Sequence, residues 1–237
     1  MSSQPASADE ELFSDANVGP AVRSDSERIA RIKHELEFGF VALGRLGTAV
    51  SIFGSARTPH GSPAYERARG VARALGERGF AVITGGGGGT MAAANQGAAE
   101  AGGRSVGLNI ELPSEQALNP YCDLGIEFHH FFVRKIMFVR YACAFIVVPG
   151  GIGTFDELFE AVTLIQTRRV RHFPVILYGR EYWDGMLDWL RGSVRAAGNV
   201  DEHDLALLTI ADEADEVCEL VIAAAAAQGR HPRRADQ

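Results

Sequence analysis

The sequence predicts a doubly wound α/β fold, a mostly parallel sheet with helices on both faces. Three observations carry this expectation. Seven short apolar runs, TAVSIFGS, FAVITG, RSVGLNI, GIEFHHFF, CAFIVVPG, FPVILYG and LALLTI, are separated by stretches of helical character. The runs are continuously apolar rather than alternating, as strands are when helices cover both faces of a parallel sheet. Three of them lead straight into unusual loops, GSARTPHG, GGGGGTM and PGGIGT, and in such sheets ligands bind beyond the carboxyl ends of the strands.

Taken in order, residues 1–23 are polar, acidic and rich in Ser, Ala and Pro, and they are expected to form a disordered tail. From Ser24, SDSERIARIKHELEFGFVAL pairs Ser24 with Glu27 in a capping box. It then sets Ile29, Ile32, Leu36, Phe40 and Leu43 at helical spacing, which predicts a leading amphipathic helix. After the first strand, Ser62 followed by Pro63 starts a helix that ends at Gly79. Strands and helices then alternate without internal repeat or long linker. Residues 24–228 therefore read as one Rossmann-like domain, and residues 229–237 as a mobile C-terminal tail. With a strand order of the 3-2-1-4-5 kind, the first and third of the unusual loops flank the switch point and the second lies beside them, so all three converge on one crevice.

An apolar fraction of 46% against 22% charged residues suits one soluble domain with a sizeable core. The net charge of -7 argues against nucleic acid as a partner and for a small ligand. Of the 23 basic residues only Lys33 and Lys135 are lysines, so a single arginine says little here and a lysine says more. Cys122, Cys143 and Cys218 form no CxxC or His/Cys cluster and read as buried thiols, with no metal site. The N-terminus has neither a basic nor an apolar leader region, and no later run has membrane-spanning length. A cytoplasmic protein without membrane association is expected.

The run Gly85 to Gly89 lets the backbone approach a ligand closely, and the helix that follows offers unpaired N–H groups and a positive dipole. Phosphate binding by Gly86, Gly87, Gly88, Gly89 and Thr90 is the expectation; a tight strand-to-helix turn is the plainer alternative. No Gly-Lys-Ser/Thr follows, and the dinucleotide fingerprint fails because Thr90 stands at its third glycine. A mononucleotide or sugar phosphate is more economical. Gly150, Gly151, Gly153 and Thr154 supply a second set of donors at another helix start.

PGGIGTFDE resembles the PGGxGTxxE signature of the LOG (LONELY GUY) family, cytokinin riboside 5'-monophosphate phosphoribohydrolases often mislabelled lysine decarboxylases. FFVRKIMF is similar to that family's Arg-Lys motif, and GSAR, with Ser55, and GGGGGTM look like its two earlier loops. The likeness runs from Thr48 to Tyr178 with the motifs in the family's order. The resemblance implies a cofactor-free homodimer or higher homo-oligomer that hydrolyses the N-glycosidic bond of a nucleoside 5'-monophosphate, AMP or a cytokinin riboside monophosphate. It implies catalytic positions at Arg134 and Glu157, and substrate-binding positions at Lys135, Gly150, Gly151, Ile152, Gly153, Thr154, Asp156 and Thr163. The same resemblance implies Glu115 as a further substrate contact. Asp156-Glu157 replaces the Glu-Glu pair of plant-like members, and Phe132-Val133-Arg134-Lys135 lacks their His. The enlarged N-terminal helix and the Asp-Glu form look more like a second, longer bacterial subgroup.

Breaking a glycosidic C–N bond builds positive charge on ribose, which a carboxylate beside the anomeric carbon stabilises. Glu157 suits that role, but Thr154-Phe155-Asp156-Glu157 also spells a capping box in which Glu157 only satisfies a backbone N–H. The guanidinium of Arg134 suits bidentate binding of a carboxylate or phosphate. His129 and His130 sit on an apolar strand without a partner at ligand spacing and read as structural. Pyridoxal-phosphate decarboxylation needs a Schiff-base lysine, and only Lys33 and Lys135 exist. The alternative function is a non-catalytic carrier of a nucleotide or molybdopterin-type phosphate ligand on the same fold.

Overall fold

A computed structural model describes residues 7–13, 24–112, 117–170 and 173–232. The chain opens with α1 (Ala8–Phe13) and α2 (Asp25–Leu43), then alternates β1 (Ala49–Phe53), α3 (Pro63–Glu77), β2 (Ala81–Thr84), α4 (Thr90–Glu100) and β3 (Ser105–Ile110). There follow β4 (Leu124–Phe128), α5 (Phe131–Tyr141), β5 (Ala142–Val147), α6 (Ile152–Gln166), β6 (Val175–Tyr178) and α7 (Arg180–Trp189), which runs into a π-helical turn at Leu190–Val194. The short α8 (Glu202–Leu205), β7 (Leu208–Ala211) and α9 (Ala214–Ala227) complete it. Among the described residues no helix is long and apolar enough to cross a membrane.

The strands form one seven-stranded sheet in the order β4-β3-β2-β1-β5-β6-β7, every neighbouring pair parallel. The expected doubly wound architecture is present, and the order reverses between β1 and β5. Buried residues of α5, α6 and α7 pack on one face with the end of α2; α3, α4 and α9 cover the other. Every residue of β1, β2, β3, β5 and β6 is buried, as continuous apolar runs require, whereas the edge strand β4 alternates.

Both expected helix starts are in place. Ser24 and Glu27 form a reciprocal capping box, and Ser62 caps Tyr65 with Pro63 in the first turn. Four local expectations change. Residues 8–13 are helical rather than part of a structureless tail, with Ala8 buried; residues 1–6 and 14–23 lie outside the described residues. At the other end, Thr48 donates to the His231 carbonyl at 2.9 Å and Arg230 to that of Tyr141 at 3.1 Å, so residues 230–231 are tied to the residues that lead into β1 and β5. The apolar stripe of α2 is rotated, because α2 packs on α5 rather than on strands: Arg28, Glu35, Gly39 and Leu43 are buried while Ile29 is exposed. A Cβ at Gly39 would stand 2.7 Å from Met137 Cε, which sets how closely the two helices approach. Finally, β4 stops at Phe128, and His130 is the N-cap of α5 rather than a strand residue.

Candidate active site

The loops after β1 and β5 meet at the switch point around a cavity of about 860 Å³. Ser55, Gly85, Arg134, Gly151, Glu157 and Tyr182 are on its wall. Gly151 is the N-cap of α6 and offers no side chain, while Thr154 and Phe155 turn back to its carbonyl at 2.9 and 3.1 Å. The N–H groups of Gly151, Ile152 and Gly153 have no acceptor among the described residues, so this helix start presents open donors beside the cavity, an arrangement that can hold an anion. Space beside Gly151 and Gly153 is empty, but a Cβ at Gly150 would collide with Thr154.

The five-glycine loop is built differently. Gly86 (φ +72°) lies against Leu118 and the β3 backbone, and Gly89 (φ +61°) against the Ser55–Ala56 backbone. Asn119 Nδ2 donates to the carbonyls of Gly86 and Gly87 at 3.0 Å each and to Asn95 Oδ1 at 2.9 Å. Packing within the protein thus accounts for Gly86 and Gly89. Of the five, Gly85 is the one on the cavity wall.

Inside the cavity, Glu157 carries a carboxyl that is 7% exposed and accepts no hydrogen bond from any described residue. Arg134 Nη2 stands 3.9 Å from Glu157 Oε1, and the guanidinium faces the rings of Phe131 and Phe138 at 5.0 and 5.5 Å. Arg134 Nε is buried with no hydrogen-bond partner. Burial pushes the Glu157 carboxyl up to about 7, against the pull of Lys135 and Arg134, and burial also lowers the Arg134 guanidinium. Lys135 Nζ lies 2.9 Å from both Asp156 and Glu160; these partners raise its pKa, outweighing burial, which acts to lower it. The capping-box reading of Glu157 fails on geometry: α6 begins at Ile152, so Thr154 and Glu157 are both inside the helix. Among the described residues no group of three His, Cys, Asp or Glu side chains is placed to hold a metal ion.

The protein-family model described as "Possible lysine decarboxylase" matches residues 91–221, more than half of the chain. The cytokinin riboside 5'-monophosphate phosphoribohydrolase of Mycobacterium tuberculosis is 33% identical over 141 residues, 58% of this chain and 74% of that one. The chain belongs to the LOG family. A second relative in it, the enzyme of the same name from Rhodococcoides fascians, is 29% identical over 147 residues, covering 60% of this chain and 73% of its own. Among solved structures, the molybdenum cofactor carrier protein of Chlamydomonas reinhardtii superposes with a TM-score of 0.54 at 20% identity, covering 77% of this chain and 99% of that one. That likeness is one of fold.

Against the LOG motifs, the fold brings Ser55, Arg134, Glu157 and Gly150 to Thr154 around one cavity. Lys135 and Asp156 pair with each other outside its wall, Gly86 to Thr90 lie behind it, and Thr163 is exposed farther along α6. Glu115 lies outside the described residues. Sequence reasoning missed Arg57, Met91, Leu112, Phe131 and Tyr182, all on the wall. Arg57 sat in the quoted GSAR loop; Tyr182 had no local signal, since only the pairing of β6 with β5 carries it to the glycine loop.

Proposed function

We propose that the chain hydrolyses the N-glycosidic bond of a nucleoside 5'-monophosphate, AMP or a cytokinin riboside monophosphate, to free base and ribose 5-phosphate without a cofactor. The observation that carries this reading is the buried Glu157 carboxyl, left without a hydrogen-bond donor and facing Arg134 at 3.9 Å on the wall of the cavity that opens on the α6 helix start. The names of the Mycobacterium and Rhodococcoides relatives support it.

In this reading the 5'-phosphate takes the N–H groups of Gly151 to Gly153, and the ribose extends inward. As the C1'–N bond lengthens, ionised Glu157 stabilises positive charge on the sugar and aligns water. The water oxygen bonds to C1', its proton leaves, and the departing base nitrogen gains a proton. Arg134, gripped between two aromatic rings, holds Glu157 or the substrate in register. Apolar side chains of α5 and α6, among them Phe132, Ile136 and Ile152, are exposed. A homodimer or higher homo-oligomer covers them in this proposal, with residues 24–228 as the single domain of a cytoplasmic enzyme.

The test is incubation of purified protein with nucleoside monophosphates, nucleosides and triphosphates, following free base by chromatography. Release from 5'-monophosphates, with nucleosides scarcely cleaved, is expected. Tight binding without release assigns the carrier function instead.

A further inference from the structure

We infer that Tyr182 is a positioning residue for the anion cradle at the start of α6, an assignment that rests on the function proposed above. The Tyr182 hydroxyl donates to the Gly150 carbonyl oxygen at 2.6 Å, and its side chain stands on the same cavity wall as Gly150 to Gly153. In a trans peptide the carbonyl and the following N–H point to opposite sides. Holding Gly150 O therefore fixes the direction of the Gly151 N–H, the first open donor of the cradle. Two successive glycines put no side-chain restraint on that peptide's rotation, so an external anchor matters here more than elsewhere.

Tyr182 is itself anchored from the far edge of the sheet. The Gly179 N–H bonds to the Ala211 carbonyl at 3.0 Å, and the Arg180 N–H to Asp212 Oδ1 at 2.7 Å, which pins the start of α7 to the end of β7. The Tyr182 ring then packs edge-on against buried Trp183 at 4.9 Å. A continuous path of contacts leads from β7 to the glycine loop, with the phenol as its last link.

Tyr182→Phe keeps the ring and its contact with Trp183 and removes only the hydroxyl. Tyr182 is 45% exposed, so Tm should stay within about 2 °C of wild type, as for a surface change of this size. The measurements are Kd for ribose 5-phosphate by calorimetry, and KM and kcat for the monophosphate that wild type cleaves fastest. Loss of one hydrogen bond behind the cradle should raise Kd and KM together by about 5-fold and leave kcat nearly unchanged. Unchanged Kd and KM overturn the assignment, and so does a fall in kcat alone. If the wild-type protein binds neither ribose 5-phosphate nor any monophosphate, the cradle and the proposed function fall together, a result distinct from a silent variant.

Discussion

Arg134 Nη2 and Glu157 Oε1 stand 3.9 Å apart, too far for a hydrogen bond, with both side chains shut away from bulk solvent. Two opposite charges free to close that gap would gain by doing so. Each is instead held by its own helix, α5 or α6, on the wall of one cavity, and the burial that raises the Glu157 carboxyl to about 7 is only partly offset by Lys135 and Arg134. Standing electrostatic cost of this kind is characteristic of reactive sites.

That cost has a measurable sign. Below about pH 4.5 Glu157 is protonated in both folded and unfolded chains and contributes nothing. Between about 4.5 and 7 the unfolded chain releases the proton while the folded one keeps it, so stability falls as pH rises. Above 7 the penalty levels off at roughly 3 kcal/mol. Glu157→Gln carries no such penalty, so its Tm advantage over wild type should grow from pH 5 to pH 8; a difference that does not vary with pH would contradict the shift. In the same protein base release should fall about 100-fold or more, because an amide neither stabilises cationic ribose nor polarises water. Wild-type turnover should rise with pH through about 7 as Glu157 ionises.

Arg134→Lys tests the other partner. Its guanidinium is planar and lies between the rings of Phe131 and Phe138; an ammonium matches neither the stacking nor a two-pronged hydrogen bond. Burial already lowers the pKa of the arginine, and a lysine there sheds its proton far more readily. Turnover is expected to drop about 10-fold to 100-fold with Tm changed by only a few degrees. Steady-state rates at wild-type level would return Arg134 to a packing role.

Local signals in the sequence were reliable where local physics decides. Continuous apolar runs became the strands, Ser24 and Ser62 became caps, and the loops after β1 and β5 met at the switch point. Tertiary packing decided the rest. A run of five glycines looks the same in sequence whether it admits a phosphate or the protein's own backbone, and Gly86 and Gly89 meet Leu118, β3 and the Ser55 loop. Ile29 and Phe40 fit the helical period of α2, yet the helix turned a different stripe toward α5. The Thr154 to Glu157 spacing mimicked a capping box because the helix start, two residues earlier at Ile152, depends on glycine backbone geometry alone.

Helix α5, which carries Arg134, has no acidic residue in its first turn and no cap from its own N-cap side chain, His130. Its caps come from the N-terminal helices. Glu35 Oε2 of α2 accepts from the N–H groups of His129 and His130 at 3.2 Å each, Glu35 Oε1 lies 2.9 Å from His130 Nδ1, and Asp9 Oδ2 of α1 accepts from Phe131 N–H at 3.1 Å. Carboxylates at a helix start satisfy orphan donors and complement its dipole. The two differ in burial: Glu35 and His130 are shut in, whereas the Asp9 bond is open to water. Glu35→Ala should therefore strand buried donors at about 1–3 kcal/mol, lowering Tm by roughly 3–10 °C for a chain of this size. Glu35→Gln keeps an acceptor and should recover much of the loss. Asp9→Asn, or removal of residues 1–13, should move Tm by no more than about 2 °C, because water replaces an exposed cap cheaply. Thermal melts of the four proteins beside wild type decide it: equal effects of Glu35→Ala and Asp9→Asn would refute the distinction drawn from burial.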